Sequence, residues 1–326
     1  MKRNQSAGLL SSGGFRLGVF TDDELDAIHQ GTLEVLQSTG VAVYSAEARE
    51  VFARAGAKVE DNLVVKIPPY IIEEAIRSAP EKITLAGRTP DRDTVIEGRR
   101  VLFTNFGEGV MLADPDTGKL RSTTKADLIK TTRLVDYLDS IDIFEKAMGC
   151  QDRPEKSVGL HNFEAMLLNT TKHCFGGPEN GRQAERIIKM AELIAGGPRN
   201  MPARCQVSFI TCPVSPLQLV EECCEIIMTS AKHEVTVNVL SMAMSGGSSP
   251  VNLAGTLVTH NAEVLSGIAL AQLVRKGTPV VYGSSTTALN LKTATATVGS
   301  PELAMIGAAV AAMARYYLLP SWVAGG

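Results

Sequence analysis

From residue 141 onward the sequence repeats one unit. A short apolar segment is followed by a loop rich in Gly, Pro or Ser, and then by an amphipathic helical stretch. The strand-like segments are DIFEKAMG (142–149), KHCFGG (172–177), CQVSFIT (205–211), EVTVNVLS (234–241), PVVYGS (279–284) and PSWVAG (320–325). Helical periodicity lies between them near 155–170, 181–195, 216–232, 251–275 and 301–318. Strands that alternate with helices predict parallel βαβ units, because a parallel neighbour is reached only through a long crossover.

These strands fit an open doubly wound sheet or an unfinished barrel. The last strand-like segment, 320–325, has no helix after it to cover it. On the barrel reading, about 30 residues per βαβ unit puts the missing part at roughly 60 to 100 residues. The expected fold is therefore α/β: a (β/α)8 TIM-type barrel, C-terminally truncated, with its first six strands in 141–326 and an N-terminal α+β extension in 1–140. Such a chain, expressed alone, is expected to expose a sheet edge and to be prone to aggregation.

The extension reads as mixed. Thr21 is a suitable N-cap for TDDELDAIHQGTLEVLQSTG, with acids in the first turn and apolar residues at helical spacing. Pro68 and Pro69 open a short helix. VLFTNFGEGVMLADPDTGKLRS reads as two strands joined at Asp114-Pro115-Asp116-Thr117-Gly118, and Thr124 then caps TKADLIKTTRLVDYL.

Composition narrows the function classes. The chain is 44% hydrophobic and 21% charged with net charge -3, so no basic stripe suggests nucleic acid. MKRNQSAGLLSSGGF lacks a continuous apolar core, and no signal peptide is expected. The apolar stretch 250–274 contains His260, Asn261, Glu263 and Gln272, and 303–319 is short and broken by Arg315. Both read as buried helices, not membrane spans. The six cysteines form no C-x-x-C pair, which predicts reduced thiols in a cytoplasmic protein and no metal site.

Three segments together resemble the trimethylamine:corrinoid protein methyltransferase family: SPVNLAGTLVTHNAEVLSGIALAQLV (249–274), GTPVVYGSSTTALNLKTATATVGSPE (277–302) and ARYYLLPSWVAGG (314–326). The resemblance implies methyl transfer from trimethylamine to the cobalt(I) of a corrinoid carried by a cognate partner protein, with no cofactor bound directly. It also implies a homo-oligomer at full length. In that family a pyrrolysine follows the equivalent Gly-Gly, and its imine is thought to capture the free amine. Here the chain stops at Gly325-Gly326. On this resemblance the 326-residue chain alone is expected to be inactive, and the partner is expected to dock on the loops after the strands. Two alternatives stand beside it: a quaternary-amine methyltransferase of the glycine betaine type, and a non-catalytic truncated product or interaction module.

Such chemistry calls for positioning, covalent activation and a carboxyl of raised pKa. Glu263, the only acid in the apolar stretch 251–275, is the first candidate, and a structurally buried carboxylate is the plainer reading. Glu302 follows Ser300-Pro301, where a first-turn acid is also favoured by the helix dipole. Substrate contacts are expected from His260 and Asn261, from Ser284 and Ser285 after the fifth strand, and from Gly325 and Gly326. Asn105 and Glu108 of TNFGEG are expected to fold over the barrel mouth. GGPENG (176–181) lacks a nucleotide fingerprint and reads as a βα loop capped by Asn180. Cys212 has no partners at zinc spacing.

Overall fold

The computed structural model describes residues 18–325, so the stretch read for a leader and Gly326 lie outside the described residues. Helix α1, Asp22–Ser38, starts at a capping box: the Thr21 hydroxyl accepts the Glu24 N–H while Glu24 accepts the Thr21 N–H. Two orphan amides are thereby satisfied, and Leu25, Ile28, Leu33 and Leu36 form the buried stripe. Helix α2, Ala46–Arg54, is capped by Ser45, and α3, Pro69–Ser78, opens on proline as the sequence predicts. Helix α4, Lys125–Tyr137, has its own capping box through Thr124 and Asp127.

The alternating half then follows in order. Its strands are β1 (Ile143–Glu145), β2 (His173–Gly176), β3 (Val207–Thr211), β4 (Val237–Ser241), β5 (Val280–Ser284) and β6 (Ser321–Val323). The helices between them are α5 (Val158–Leu167), α6 (Gly181–Ile194), α7 (Glu221–Lys232), α8 (Leu253–Val274) and α9 (Pro301–Tyr316). Asn180 caps α6 by accepting the Gln183 N–H at 2.9 Å.

The chain divides into two compact units, and these do not follow the sequence boundary near residue 140. Among the described residues, one unit comprises 18–83, 97–99 and 211–325; the other comprises 84–96 and 100–210. In the first, β4, β5 and β6 pair in parallel, with Tyr282 opposite Ser321 and Val239. Helix α8 is the hub: it packs on α1, α2, α3 and α7 as well as on β4 and β5. That is why the N-terminal helices fold into this unit. Helix α8 is long and apolar enough to cross a membrane, but 78% of its most apolar window is buried in protein. It is apolar all round because it is covered all round. It comes close to the sheet at Gly267, where an added Cβ would meet Val239 Cγ1 at 2.7 Å.

In the second unit, β1, β2 and β3 pair in parallel and α5 packs on α4 and α6. Two details depart from the sequence reading. The helix expected at 216–232 begins only at Glu221, because Leu217, at φ +57°, leads into an extended Gln218–Leu219 pair that joins Val41–Val43 in parallel. The hairpin is confined to Met111–Ala113 and Leu120–Ser122 around the Asp114 turn. The stretch before it runs instead along β1.

Candidate functional site

In the second unit, residues 104–109 lie beside β1 and its continuation. Thr104 bridges Ile143 and Gly109 bridges Met148, both in parallel. Asn105 holds the register: its Oδ1 accepts the Glu145 N–H at 3.0 Å, and its Nδ2 donates to the Glu145 carbonyl at 2.8 Å. Glu108 pairs with Lys146 at 2.9 Å, and its N–H donates to the Lys146 carbonyl. Asn105 and Glu108 thus sit at the C-terminal end of the first barrel-type strand, where barrel enzymes keep their chemistry.

What they surround is Glu145, a residue the sequence reading passed over. Its carboxylate is half-buried and accepts one side-chain hydrogen bond, from the Thr104 hydroxyl at 3.2 Å. Burial pushes its pKa up to about 7, against the Thr104 bond and the Lys146 charge, with Glu108 adding a like charge. The loop approaches so closely that a Cβ on Gly107 would stand 2.6 Å from Glu145 Oε1. A carboxyl poised near neutrality at a strand end can both give and take a proton. The available signal was a single acid in the middle of DIFEKAMG, but the loop that closes over it lies forty residues earlier.

In the first unit, Glu263 is 1% exposed on α8. It accepts three hydrogen bonds: from Ser215 Oγ at 2.8 Å, from Ser241 Oγ at 2.6 Å and from the Leu217 N–H at 3.0 Å. Burial raises its pKa, opposed by these three donors. The carboxylate therefore ties the loop after β3 to the end of β4.

His260 and Asn261 join a different network. His260 Nε2 donates to the Gly283 carbonyl at 3.1 Å, and the Tyr282 hydroxyl lies 3.3 Å from its Nδ1. Tyr282 donates to Asn261 Oδ1 at 2.7 Å, and Asn261 Nδ2 donates to the Tyr317 hydroxyl and to Thr32 Oγ1. The Tyr317 hydroxyl then meets His29 Nδ1, whose Nε2 lies 2.8 Å from Glu73. This chain of bonds fastens α8 to α1 and α9. His260, Asn261 and Glu263 are thus neighbours in sequence but belong to two separate clusters.

Ser284 is buried, its hydroxyl accepting the Thr286 N–H and its carbonyl accepting the Ala324 N–H. The Ser285 N–H donates to the Ser241 carbonyl at 2.9 Å. After Ser285, the strand Thr287–Asn290 pairs with Met244–Ser245 beyond β4. Glu302 is exposed in the first turn of α9 behind the Ser300 cap. Gly325 is exposed. Among the described residues, no group of three His, Cys, Asp or Glu is placed to hold a metal ion.

Two histidines carry a pH consequence. His173 Nδ1 donates to the Ala86 carbonyl at 3.0 Å and its Nε2 lies 2.8 Å from Ser208 Oγ. Burial holds both His173 and His260 down at about 4. Unfolded histidine takes its proton near 6.5, so between 6.5 and 4 the unfolded chain binds protons that the folded chain does not. Stability is then expected to fall as pH drops through that window. Melts at pH 7 and pH 5 check this, and His260→Gln should shrink the difference.

Parallel strands alternating with helices in this order define a TIM-type α/β chain. The fold is shared with solved methylamine methyltransferases. The Methanosarcina barkeri monomethylamine methyltransferase (MtmB) matches with a TM-score of 0.54 at 13% identity, over 92% of this chain and 67% of that one. A hydroxylamine complex of MtmB matches with a TM-score of 0.55 at 12% identity, with the same coverage of each. The chain belongs to the trimethylamine methyltransferase (MTTB) family, whose profile matches residues 3–326. It is 50% identical to trimethylamine methyltransferase MttB of Desulfitobacterium hafniense over 98% of this chain and 65% of that protein. It is 44% identical to MttB of Methanosarcina thermophila over 99% of this chain and 68% of that protein. Identity falls to 31% with the glycine betaine methyltransferase of Desulfitobacterium hafniense, over 95% of this chain and 65% of that protein. The chain thus spans about two thirds of the length of these relatives.

Proposed function

We propose that this chain forms the substrate-side part of a trimethylamine:corrinoid protein methyltransferase, which passes a methyl group from trimethylamine to cobalt(I) held by a partner protein. The contrast between 50% identity to the MttB relative and 31% to the glycine betaine enzyme carries this reading. The geometry supports it through Glu145, whose carboxyl near pKa 7 can hold a proton at the end of β1 while an amine nearby is converted from its protonated to its reactive form. Thr104 donates to that carboxyl and Gly107 leaves room for it, while Asn105 holds the Glu145 backbone; Lys146 and Glu108 set the charge around it. On this reading the corrinoid belongs to the partner, and the protein acts in the cytoplasm as a homo-oligomer.

The test is transfer to a reduced corrinoid protein by protein carried on to the length of its relatives. Methyl-cobalt absorbance is expected with trimethylamine and not with glycine betaine. The reverse preference would assign the quaternary-amine activity instead. No transfer from either, by a cooperatively folded protein, would refute both.

A further inference from the structure

The loops that follow β4 and β5 are almost without charge. Charged residues make up 21% of the chain. Residues 242–252 hold none, and 285–300 hold only Lys292. Yet these loops are tipped with apolar side chains that stand in water. Met242 is 54% exposed, Val251 74%, Leu291 73% and Val298 67%. Apolar side chains scattered singly over a surface need no explanation, whereas ones that meet call for a cause.

Here they meet. A Cβ on Gly246 would lie 3.6 Å from Val251 Cγ2 and 3.8 Å from Leu291 Cδ2, and one on Gly247 would lie 3.3 Å from Leu289 Cδ2. Val251, Leu289 and Leu291 thus gather from two loops on the Gly246–Gly247 turn. The support beneath them is built. Strand Thr287–Asn290 pairs with Met244–Ser245 on one side and with Thr295–Ala296 on the other. The Ser245 hydroxyl donates to the Val251 carbonyl at 2.8 Å, and the Thr297 hydroxyl donates to the Ala288 carbonyl at 2.9 Å. An apolar tip already held in place loses little freedom when it is covered. Both loops leave the C-terminal ends of their strands, on the face where barrel enzymes keep their chemistry.

We propose that this apolar rim docks the protein that bears the methyl acceptor, an inference that rests on the methyl-transfer reading above. Transfer demands that donor and acceptor come into contact, so the acceptor's carrier must reach the strand ends. The core of a protein interface is depleted in Lys, Asp and Glu, as these loops are. The carrier's own chemistry follows. The face that meets Val251 and Leu291 is apolar and uncharged, because a charge buried against them would go unpaired. Lys292, next to Leu291, is the only charge in the two loops and calls for an acid at the edge of that face.

The test uses protein carried on to the length of its relatives, with trimethylamine and the reduced corrinoid protein. Val251→Asp and Leu291→Asp each set a charge on the rim at a side chain that is mostly in water. Each should raise the corrinoid-protein concentration needed for half-maximal transfer by about tenfold or more. The rate at saturation and the KM for trimethylamine should hold, because neither residue touches the substrate. Melting temperatures should hold too, and Leu291→Met should behave as the unaltered protein. An unchanged dependence on the corrinoid protein in both variants would overturn the proposal. So would a fall in melting temperature, or a split of an oligomer, with that dependence unmoved: the rim would then be covered by the protein's own remaining segment or by a second copy. Sedimentation of the two proteins mixed without substrate separates the rim from the substrate reading. Binding weakened by both variants supports the rim whichever amine is the methyl donor. Binding unweakened by either, with transfer from trimethylamine intact, sinks the rim alone. Failure of the unaltered protein to bind the corrinoid protein at all would overturn both.

Discussion

Glu145→Gln is expected to lower kcat for methyl transfer by about 100-fold or more, the size of a lost general acid–base group. The substitution keeps the side-chain volume under Gly107 and leaves an oxygen for the Thr104 hydroxyl, so the fold around β1 should persist. What it removes is the proton. The pH profile should then lose its limb near 7, where burial has brought the carboxyl. A second readout follows from linkage. A carboxyl raised from about 4.5 to about 7 is more protonated when folded than when unfolded, so the native chain loses stability as pH rises through that window. Glu145→Gln should flatten this dependence. An enzyme variant with unchanged kcat and an unchanged pH profile would return Glu145 to a structural role.

Much of the fold could be read in advance because it rests on local patterns. Each alternating segment from 142 to 325 falls on a strand, and the helices lie within a few residues of their expected places, as apolar spacing and the caps at Thr21, Thr124 and Asn180 dictate. The site was legible only in part, because it depends on pairings across the chain. Glu145 looked like one charged residue in a strand until residues 104–109 were seen to lie along it. His260 and Asn261 looked like neighbours of Glu263, yet helical rotation sends them into the Tyr282–Tyr317 network while Glu263 meets Ser215 and Ser241.

Glu263 is expected to answer differently from Glu145. Its carboxylate is enclosed by three donors, two hydroxyls that can turn and one backbone N–H that cannot. Glu263→Gln can keep an oxygen toward the Leu217 N–H and present its NH2 to the two serine oxygens. It should therefore cost only about 1 to 2 kcal/mol and leave kcat within roughly tenfold, since charge-assisted bonds become ordinary ones. Glu263→Leu offers no acceptor. The Leu217 N–H is then buried without a partner and the loop after β3 is released from β4, at a cost of about 3 kcal/mol or more. At about 2 to 4 °C per kcal/mol for a chain of this size, the melting temperature should drop by roughly 6 to 12 °C. Activity should fall with the fraction folded and recover on cooling. A different pattern would place Glu263 in proton transfer: a 100-fold loss of kcat in Glu263→Gln with the melting temperature unmoved. The two variants measured together separate a clamp from an acid, because a clamp needs only an acceptor whereas an acid needs its proton.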